Sequence, residues 1–125
     1  MFIKMLKAKI HRVTVTEANL NYIGSLTLDE NIMDIAGLHE YEKIQVLDIT
    51  NGSRIETYLI HGERGSGKVC INGAAAHLIH AGDLVIIAAY CKLNNLEAQN
   101  HSPKIVHINN KNQVIHKFEE EPILD

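Results

Sequence analysis

The chain has 125 residues, a mass of 14.0 kDa and a formal net charge of −3. That is room for one domain with a real core and too little for two, and the acidic balance speaks against nucleic acid as a general partner. The longest apolar run, residues 84–91, is too short to span a membrane, and Met1-Phe2-Ile3-Lys4 meets charge before any secretory-signal stretch can form.

Residues 3–15 alternate apolar and polar side chains and predict a first strand. Its phase slips: Ile3 and Met5 share one face, Leu6, Ala8 and Ile10 the other, and then Val13 and Val15 return, which is the mark of a bulge. Lys4, Lys7, Lys9 and Arg12 precede the first acid, Glu17, a charge arrangement that suits an anionic small molecule or a guarded sheet edge. Thr16-Glu17-Ala18-Asn19 predicts a polar turn, and residues 20–22 predict extended structure leading to Gly24-Ser25. Ile32, Ile35 and Ala36 at helical spacing, stopped by Gly37, predict a short helix over residues 30–36.

Residues 44–50 predict a strand, Asn51-Gly52 a hairpin turn and residues 54–61 the returning strand. Glu63-Arg64-Gly65-Ser66-Gly67-Lys68 predicts a flexible turn and lacks the spacing of a phosphate loop. A short strand at residues 69–71 leads to Asn72-Gly73-Ala74-Ala75-Ala76-His77, a capped entry into a short helix that ends by Ala81-Gly82. Residues 83–90 predict a central apolar strand, residues 93–103 a polar loop, and 105–108 with 114–118 a last hairpin. Cys70 and Cys91 read as core fillers and fit a reducing cytoplasm better than a disulfide framework. Glu119, Glu120, Glu121 and Asp125 form an acidic tail. Many short strands with two short helices predict a mainly β fold, a small closed barrel forming a single domain over residues 1–125.

The stretch Tyr22-Ile23-Gly24-Ser25 carries the chemistry. Glycine has no Cβ to obstruct its carbonyl and tolerates strained dihedrals. The Ser25 hydroxyl can therefore reach the Gly24 carbonyl and turn the amide into an ester. Such an ester breaks by β-elimination, and the dehydroalanine left behind hydrolyses to a pyruvoyl group. A lone Gly-Ser pair is most often a turn; its company is what distinguishes this one. Lys9-Ile10-His11-Arg12, Tyr22-Ile23-Gly24-Ser25, Thr50-Asn51-Gly52-Ser53-Arg54 with Thr57-Tyr58, Glu63-Arg64-Gly65-Ser66, and Asn72-Gly73-Ala74-Ala75-Ala76-His77 stand in one order along the chain. In that order and spacing, over roughly residues 1–108, the sequence resembles the pyruvoyl-dependent aspartate 1-decarboxylases.

The resemblance implies a closed six-stranded double-psi β-barrel with short helices, assembled as a homotetramer with active sites at subunit interfaces. It implies a precursor that cuts itself between Gly24 and Ser25 into chains 1–24 and 25–125. It also implies conversion of L-aspartate to β-alanine and CO2 in the cytoplasm, for pantothenate and hence coenzyme A synthesis. The pyruvoyl group made from Ser25 would hold the substrate as a Schiff base and delocalise the electron pair left by CO2, in place of pyridoxal phosphate. No metal is expected.

The residue types suit this chemistry. Arg54 offers a planar, always-charged fork for a substrate carboxylate, and Lys9 a second positive charge. Tyr58 shares a strand face with Arg54 and Glu56 and would donate the proton to the α-carbon. Thr57 faces the other way by alternation, yet by resemblance its hydroxyl assists self-cleavage at the Gly24 carbonyl and contacts substrate. Backbone N–H groups at Gly73, Ala74 and Ala75 suit a carboxylate, and Asn72 would orient their loop. By resemblance His11 and Tyr22 support the cut. Two other readings compete. One is a non-catalytic β-barrel binding module with an intact Gly24–Ser25 bond. The other is a metal site on His77 and His80, for which no third ligand falls at a suitable spacing.

Overall fold

In a computed structural model, which describes residues 1–118, nine strands form one mixed sheet accompanied by two short α-helices and a 3₁₀ turn. Strand β1 (Ile3–Thr14) runs antiparallel to β7 (Leu84–Leu93). The slipping phase of its sequence is two bulges: the register shifts between Leu6 and Ala8 and again between Ile10 and Val13. Arg12 takes up the second with a φ of 70°. Through these slips Ala8, Ile10 and Val13 all reach the core, although they do not share one parity.

Strand β2 (Glu17–Asn19) corrects the expectation of a turn there, and residues 20–22 are turn and bend where extended chain was expected. All three β2 residues are exposed. Its structure comes from pairing in parallel with β6 (Val69–Asn72), so no local pattern announces it. The threonine just before it fixes the approach: Thr16 N–H and hydroxyl both donate to Val69 O, and Val69 N–H donates back to Thr16 Oγ1.

Strand β3 (Ser25–Asp29) runs into α1 (Glu30–Ala36), the helix expected from its apolar spacing. Asp29 caps it by accepting from Asn31 N–H, and Gly37 ends it in the left-handed conformation, with φ 71°. The same buried carboxylate accepts from Gly65 and Gly67 N–H at 3.0 and 2.9 Å. Arg64 clasps the other side of α1 through Glu30, Asn31 and Asp34. The glycine-rich turn at residues 63–68 thus spends its donors on a carboxylate of this chain.

Strand β4 (Lys43–Asp48) returns as β5 (Arg54–Gly62) through the predicted Asn51-Gly52 turn, where Gly52 has a φ of 82°. Asp48 Oδ1 accepts from Thr50 and Asn51 N–H inside that turn. After β6, Gly73–His77 form the 3₁₀ turn where a short helix was expected. The loop expected over residues 93–103 contains a second helix, α2 (Asn95–Gln99). Asn94 and Glu97 form a capping box at its start, a signal legible in the sequence. Strands β8 (Lys104–Ile108) and β9 (Val114–Phe118) make the expected last hairpin, with β8 parallel to β1.

The hydrogen-bonded order is β2-β6-β3-β5-β4-β7-β1-β8-β9. Six strands were expected and nine are found, because β2 and the β8–β9 hairpin extend the sheet at its two ends. Among the described residues, no ladder joins β2 to β9. The core is filled by Ile10, Leu26, Leu28, Ile32, Met33, Ile44, Leu59, Ile71, Ile79 and Ile87, all with 2% or less of their surface exposed. No described helix is long and apolar enough to cross a membrane. The acidic tail, Glu119 to Asp125, lies outside the described residues.

Candidate active site

The site forms where β3 and β6 meet. Their antiparallel register places Ser25 opposite Asn72 and Thr27 opposite Cys70. Ser25 is 2% exposed, whereas Gly24 before it is exposed, so the bond between them crosses from surface to core. Asn72 is itself buried, and its amide donates to Ser25 Oγ and to Thr27 Oγ1, each at 3.1 Å. The Cys70 thiol donates to Asn72 Oδ1 at 3.1 Å, which fixes which way the amide points. Burial, reinforced by the charge of Glu17 and opposed by Lys68, pushes the Cys70 thiol up, so it stays protonated as a donor. The Ser25 hydroxyl in turn donates to Ile23 O at 3.3 Å. A chain of donors therefore runs from Cys70 through Asn72 to Ser25 and ends two residues back, beside the candidate bond.

Gly73 brings the two segments this close. It sits at φ 76°, and a Cβ built on it would lie 2.6 Å from Gly24 Cα, 2.8 Å from Gly24 N and 3.1 Å from Tyr22 O. No side chain fits there. Gly24 differs: a Cβ on it would meet only Asn72 O, at 3.8 Å. Gly24 is thus open on the side its own Cβ would take, while Gly73 packs closely against its Cα and N.

A cavity of about 540 Å³ opens beside Gly24, and Ile55, Glu56, Thr57, Tyr58, Asn72, Ala74, Ala75 and Leu78 line it. Alternation sends Thr57 and Tyr58 to opposite faces of β5, yet both border this space. The sheet topology explains it. Residues 54–58 pair with β4 alone, and β3 joins β5 only from Leu59 onward. An open strand edge is reached from both faces at once, so no bulge is needed to bring Thr57 to the cavity. Among the described residues, Ala74 and Ala75 in the 3₁₀ turn face it with small side chains that leave the backbone approachable.

Other expected site residues lie apart. Tyr22 borders a neighbouring cavity of about 370 Å³ that shares Asn72 and includes Thr27, His61, Lys68 and Cys70. Arg54 is exposed at the start of β5 and is not in the lining of the Gly24 cavity. Lys9 and His11 stand on β1, with the His11 ring edge-on to that of His107 at 5.2 Å. His77 and His80 are both exposed, and His80 N–H donates to Asp83. Among the described residues, no three histidine, cysteine or acidic side chains are grouped as metal ligands. Sequence reasoning missed Thr27 and the hydrogen-bonding part of Cys70. The only signal for either is the register that sets them beside Asn72.

A profile of the aspartate decarboxylase family matches residues 1–115. An aspartate 1-decarboxylase of Caldicellulosiruptor bescii is 55% identical over 97% of this chain and 94% of its own. Those of Caldicellulosiruptor saccharolyticus and Acetivibrio thermocellus are 58% and 54% identical, over 92% and 97% of this chain and 90% and 96% of theirs. Among solved structures, the computationally designed msDPBB_sym2 protein aligns at a TM-score of 0.42 and 16% identity, over 70% of this chain and 96% of that one. With a family profile over nearly all of the described residues and relatives above half identity along nearly the whole chain, the protein belongs to the aspartate decarboxylase family.

Proposed function

We propose that this chain decarboxylates L-aspartate to β-alanine, as its relatives' names describe, after cutting itself between Gly24 and Ser25. The product would serve pantothenate and coenzyme A synthesis in the cytoplasm. The observation that carries the reading is the convergence of Ser25, Asn72, Gly73, Thr57 and Tyr58 around one exposed glycine, Gly24.

The residues present fit a pyruvoyl group derived from Ser25. The hydroxyl is buried next to its own peptide bond, its neighbour bears no side chain, and the cavity beside it can admit a substrate of aspartate's size. Such a group supplies an electron sink for the pair left when CO2 departs. The chain's own residues do the rest. Asn72 orients the Ser25 oxygen by donating to it, and the Ser25 proton is aimed away, at Ile23 O. Thr57 stands at the cavity wall, where its hydroxyl can donate to the Gly24 carbonyl as negative charge builds there. Tyr58 borders the same space with a phenol able to protonate the substrate α-carbon. The backbone at Gly73, Ala74 and Ala75 offers N–H groups to a carboxylate.

Lys9 and Arg54 favour a site shared between subunits. Lys9 pairs with Ala88, Ala88 with Gln45, and Gln45 with Glu56, so one row crosses from β1 to β5. Three strand spacings separate Lys9 from β5, roughly 14 Å, beyond the reach of one lysine side chain. A homotetramer would let the Lys9 of one subunit serve the cavity of another. The parallel β3–β5 ladder, set among antiparallel ones, supports a double-psi barrel in which six core strands close.

Intact mass and a denaturing gel test the proposal together. Wild type should give fragments 1–24 and 25–125, the larger with no free N-terminal amine, and Ser25→Ala should give one inactive band. An uncut, inactive wild type would favour a binding module with an intact bond. Sedimentation of a fully active monomer would remove the shared site.

A further inference from the structure

Tyr41 has no part in the chemistry above, yet its backbone is held where an aromatic residue is disfavoured. Its φ is 71°, the left-handed region that side chains with a Cβ avoid. Tyr41 is 71% exposed, so burial of the ring does not compensate. Hydrogen bonds around it over-determine the conformation. Tyr41 N–H donates to Leu59 O at 2.7 Å, and Leu59 N–H donates to Glu42 O at 3.1 Å. These two bonds stitch the turn over residues 39–42 to β5 at the residue next to Tyr58. The Glu42 carboxylate then accepts from Lys7 Nζ at 2.9 and 3.1 Å and from His39 N–H at 3.0 Å.

The result of this arrangement is a ring contact. The Tyr41 and Tyr58 rings lie with centroids 6.5 Å apart and planes at 45°, within the range of an interacting aromatic pair. Tyr58 is half-buried at the end of the open edge of β5, with the Gly24 cavity beside it. Strain in a turn that also seats an exposed ring against a site residue points to function.

The geometry points to Tyr41 as a positioning residue: its ring braces that of Tyr58 and so sets the phenol at the cavity wall for proton transfer. This role rests on Tyr58 being the proton donor. It is indirect, since Tyr41 acts through Tyr58.

The test compares Tyr41→Phe, Tyr41→Asn and Tyr41→Gly in the mature enzyme, alone and combined with Tyr58→Phe. Phe keeps the ring, whereas Asn and Gly suit the backbone angle and remove it. Activity is measured per mole of pyruvoyl group, and 3-fluorotyrosine NMR follows the tyrosines directly, of which there are four. Tyr41→Asn should lower kcat roughly 10-fold, with KM within about twofold, the scale of one aromatic contact. It should also move the Tyr58 fluorine signal and leave Tm level or raised by roughly 2–6 °C through relief of strain. Tyr41→Phe should stay within about twofold of wild type, since it keeps the contact, and Tyr41→Gly should repeat the result for Asn. In the Tyr58→Phe background, Tyr41→Asn should cost nothing further.

A Tyr41→Asn enzyme with wild-type kcat and an unmoved Tyr58 signal overturns the role. An equal loss of kcat in both backgrounds overturns it too, because Tyr41 would then act independently of Tyr58. Full normalised activity in Tyr58→Phe alone removes the proton-donor reading and this role with it. A large loss in Tyr58→Phe with no response to Tyr41→Asn removes only the role of Tyr41.

Discussion

The Cα of Gly24 lies only 2.6 Å from where a Cβ on Gly73 would stand. That contact makes the Gly24-Ser25 segment and the β6 turn a single unit, with the glycine at position 73 setting the distance. Gly73 is itself buried, but the backbone it would strike belongs to the exposed Gly24, so Gly73→Ala should fold by pushing Gly24 outward. Self-cleavage should then slow by roughly 10²-fold, the usual consequence of a displacement near 1 Å at a reacting centre. Gly24→Ala meets open space and should retain more processing than Gly73→Ala. A time course on denaturing gels decides it; equal rates for the two variants would contradict the geometry.

The Asn72 amide serves three partners, and its loss should affect both fold and cut. Asn72→Ala leaves Ser25, Thr27 and Cys70 without it in a buried site. Such orphaned groups cost about 1–3 kcal/mol. Urea unfolding in a Ser25→Ala background, where only one species exists and Thr27 and Cys70 are the partners left, should show their share of that loss as a lower midpoint with an unchanged slope. In the Ser25-containing protein the same substitution should slow processing. A variant as stable as its parent would mean that water replaces the amide without cost.

Much of this site could be read along the chain, and what could not was long-range. Asn51-Gly52 and the α1 stop at Gly37 announce themselves because each depends on local backbone chemistry, whereas Gly24-Ser25 stands out only beside the other motifs. Strand β2 was invisible because its three exposed residues are extended only through β6. Alternation sets Thr57 and Tyr58 on opposite faces of β5, and one cavity reaches both because residues 54–58 have a neighbouring strand on one edge, a fact of topology rather than of local pattern. Cys70 looked like filler, and it is buried. Its bond to Asn72 follows from a register that no spacing in the sequence reveals.

Thr57 and Tyr58 border one cavity from opposite faces, so their substitutions should separate making the cofactor from using it. Tyr58→Phe should cut itself normally and lose roughly 10²–10⁴-fold in β-alanine production. Thr57→Val keeps the shape without the hydroxyl; cleavage should slow, and the molecules that mature should retain much of their activity. Arg54→Lys keeps the charge but not the fork and should raise KM for aspartate more than it slows processing. Every rate is divided by moles of pyruvoyl group, since variants will differ in the fraction matured. Parallel losses in processing and normalised turnover for both Thr57→Val and Tyr58→Phe would collapse the division of labour.

A second buried pair makes stability depend on pH. Asp48 closes β4 and Asp83 precedes β7, with 3% and 8% of their surfaces exposed. One Asp48 oxygen accepts from the turn at residues 50–51, and the other, Oδ2, is buried without a hydrogen-bond partner. Burial, then the neighbouring Asp83 carboxyl, push Asp48 above the ordinary 3.8. The proximity of Asp48, together with His80, holds Asp83 below it. The two signs oppose. A raised acid keeps a proton that the unfolded chain has released, so its contribution is complete below the ordinary value and is lost as pH rises through the raised one. Asp83 contributes above the ordinary value, and that part is lost as pH falls through its lowered one. Wild type should therefore lose stability on the alkaline side of about pH 4 as Asp48 ionises. Asp48→Asn should remove that slope. Its amide oxygen still accepts from Thr50 and Asn51, and its NH2 group can donate to Asp83. Thermal unfolding of both proteins from about pH 4 to 8, in the uncut Ser25→Ala form, should show the variant gaining on wild type as pH rises. Curves that stay parallel would mean that Asp48 is not raised in the fold.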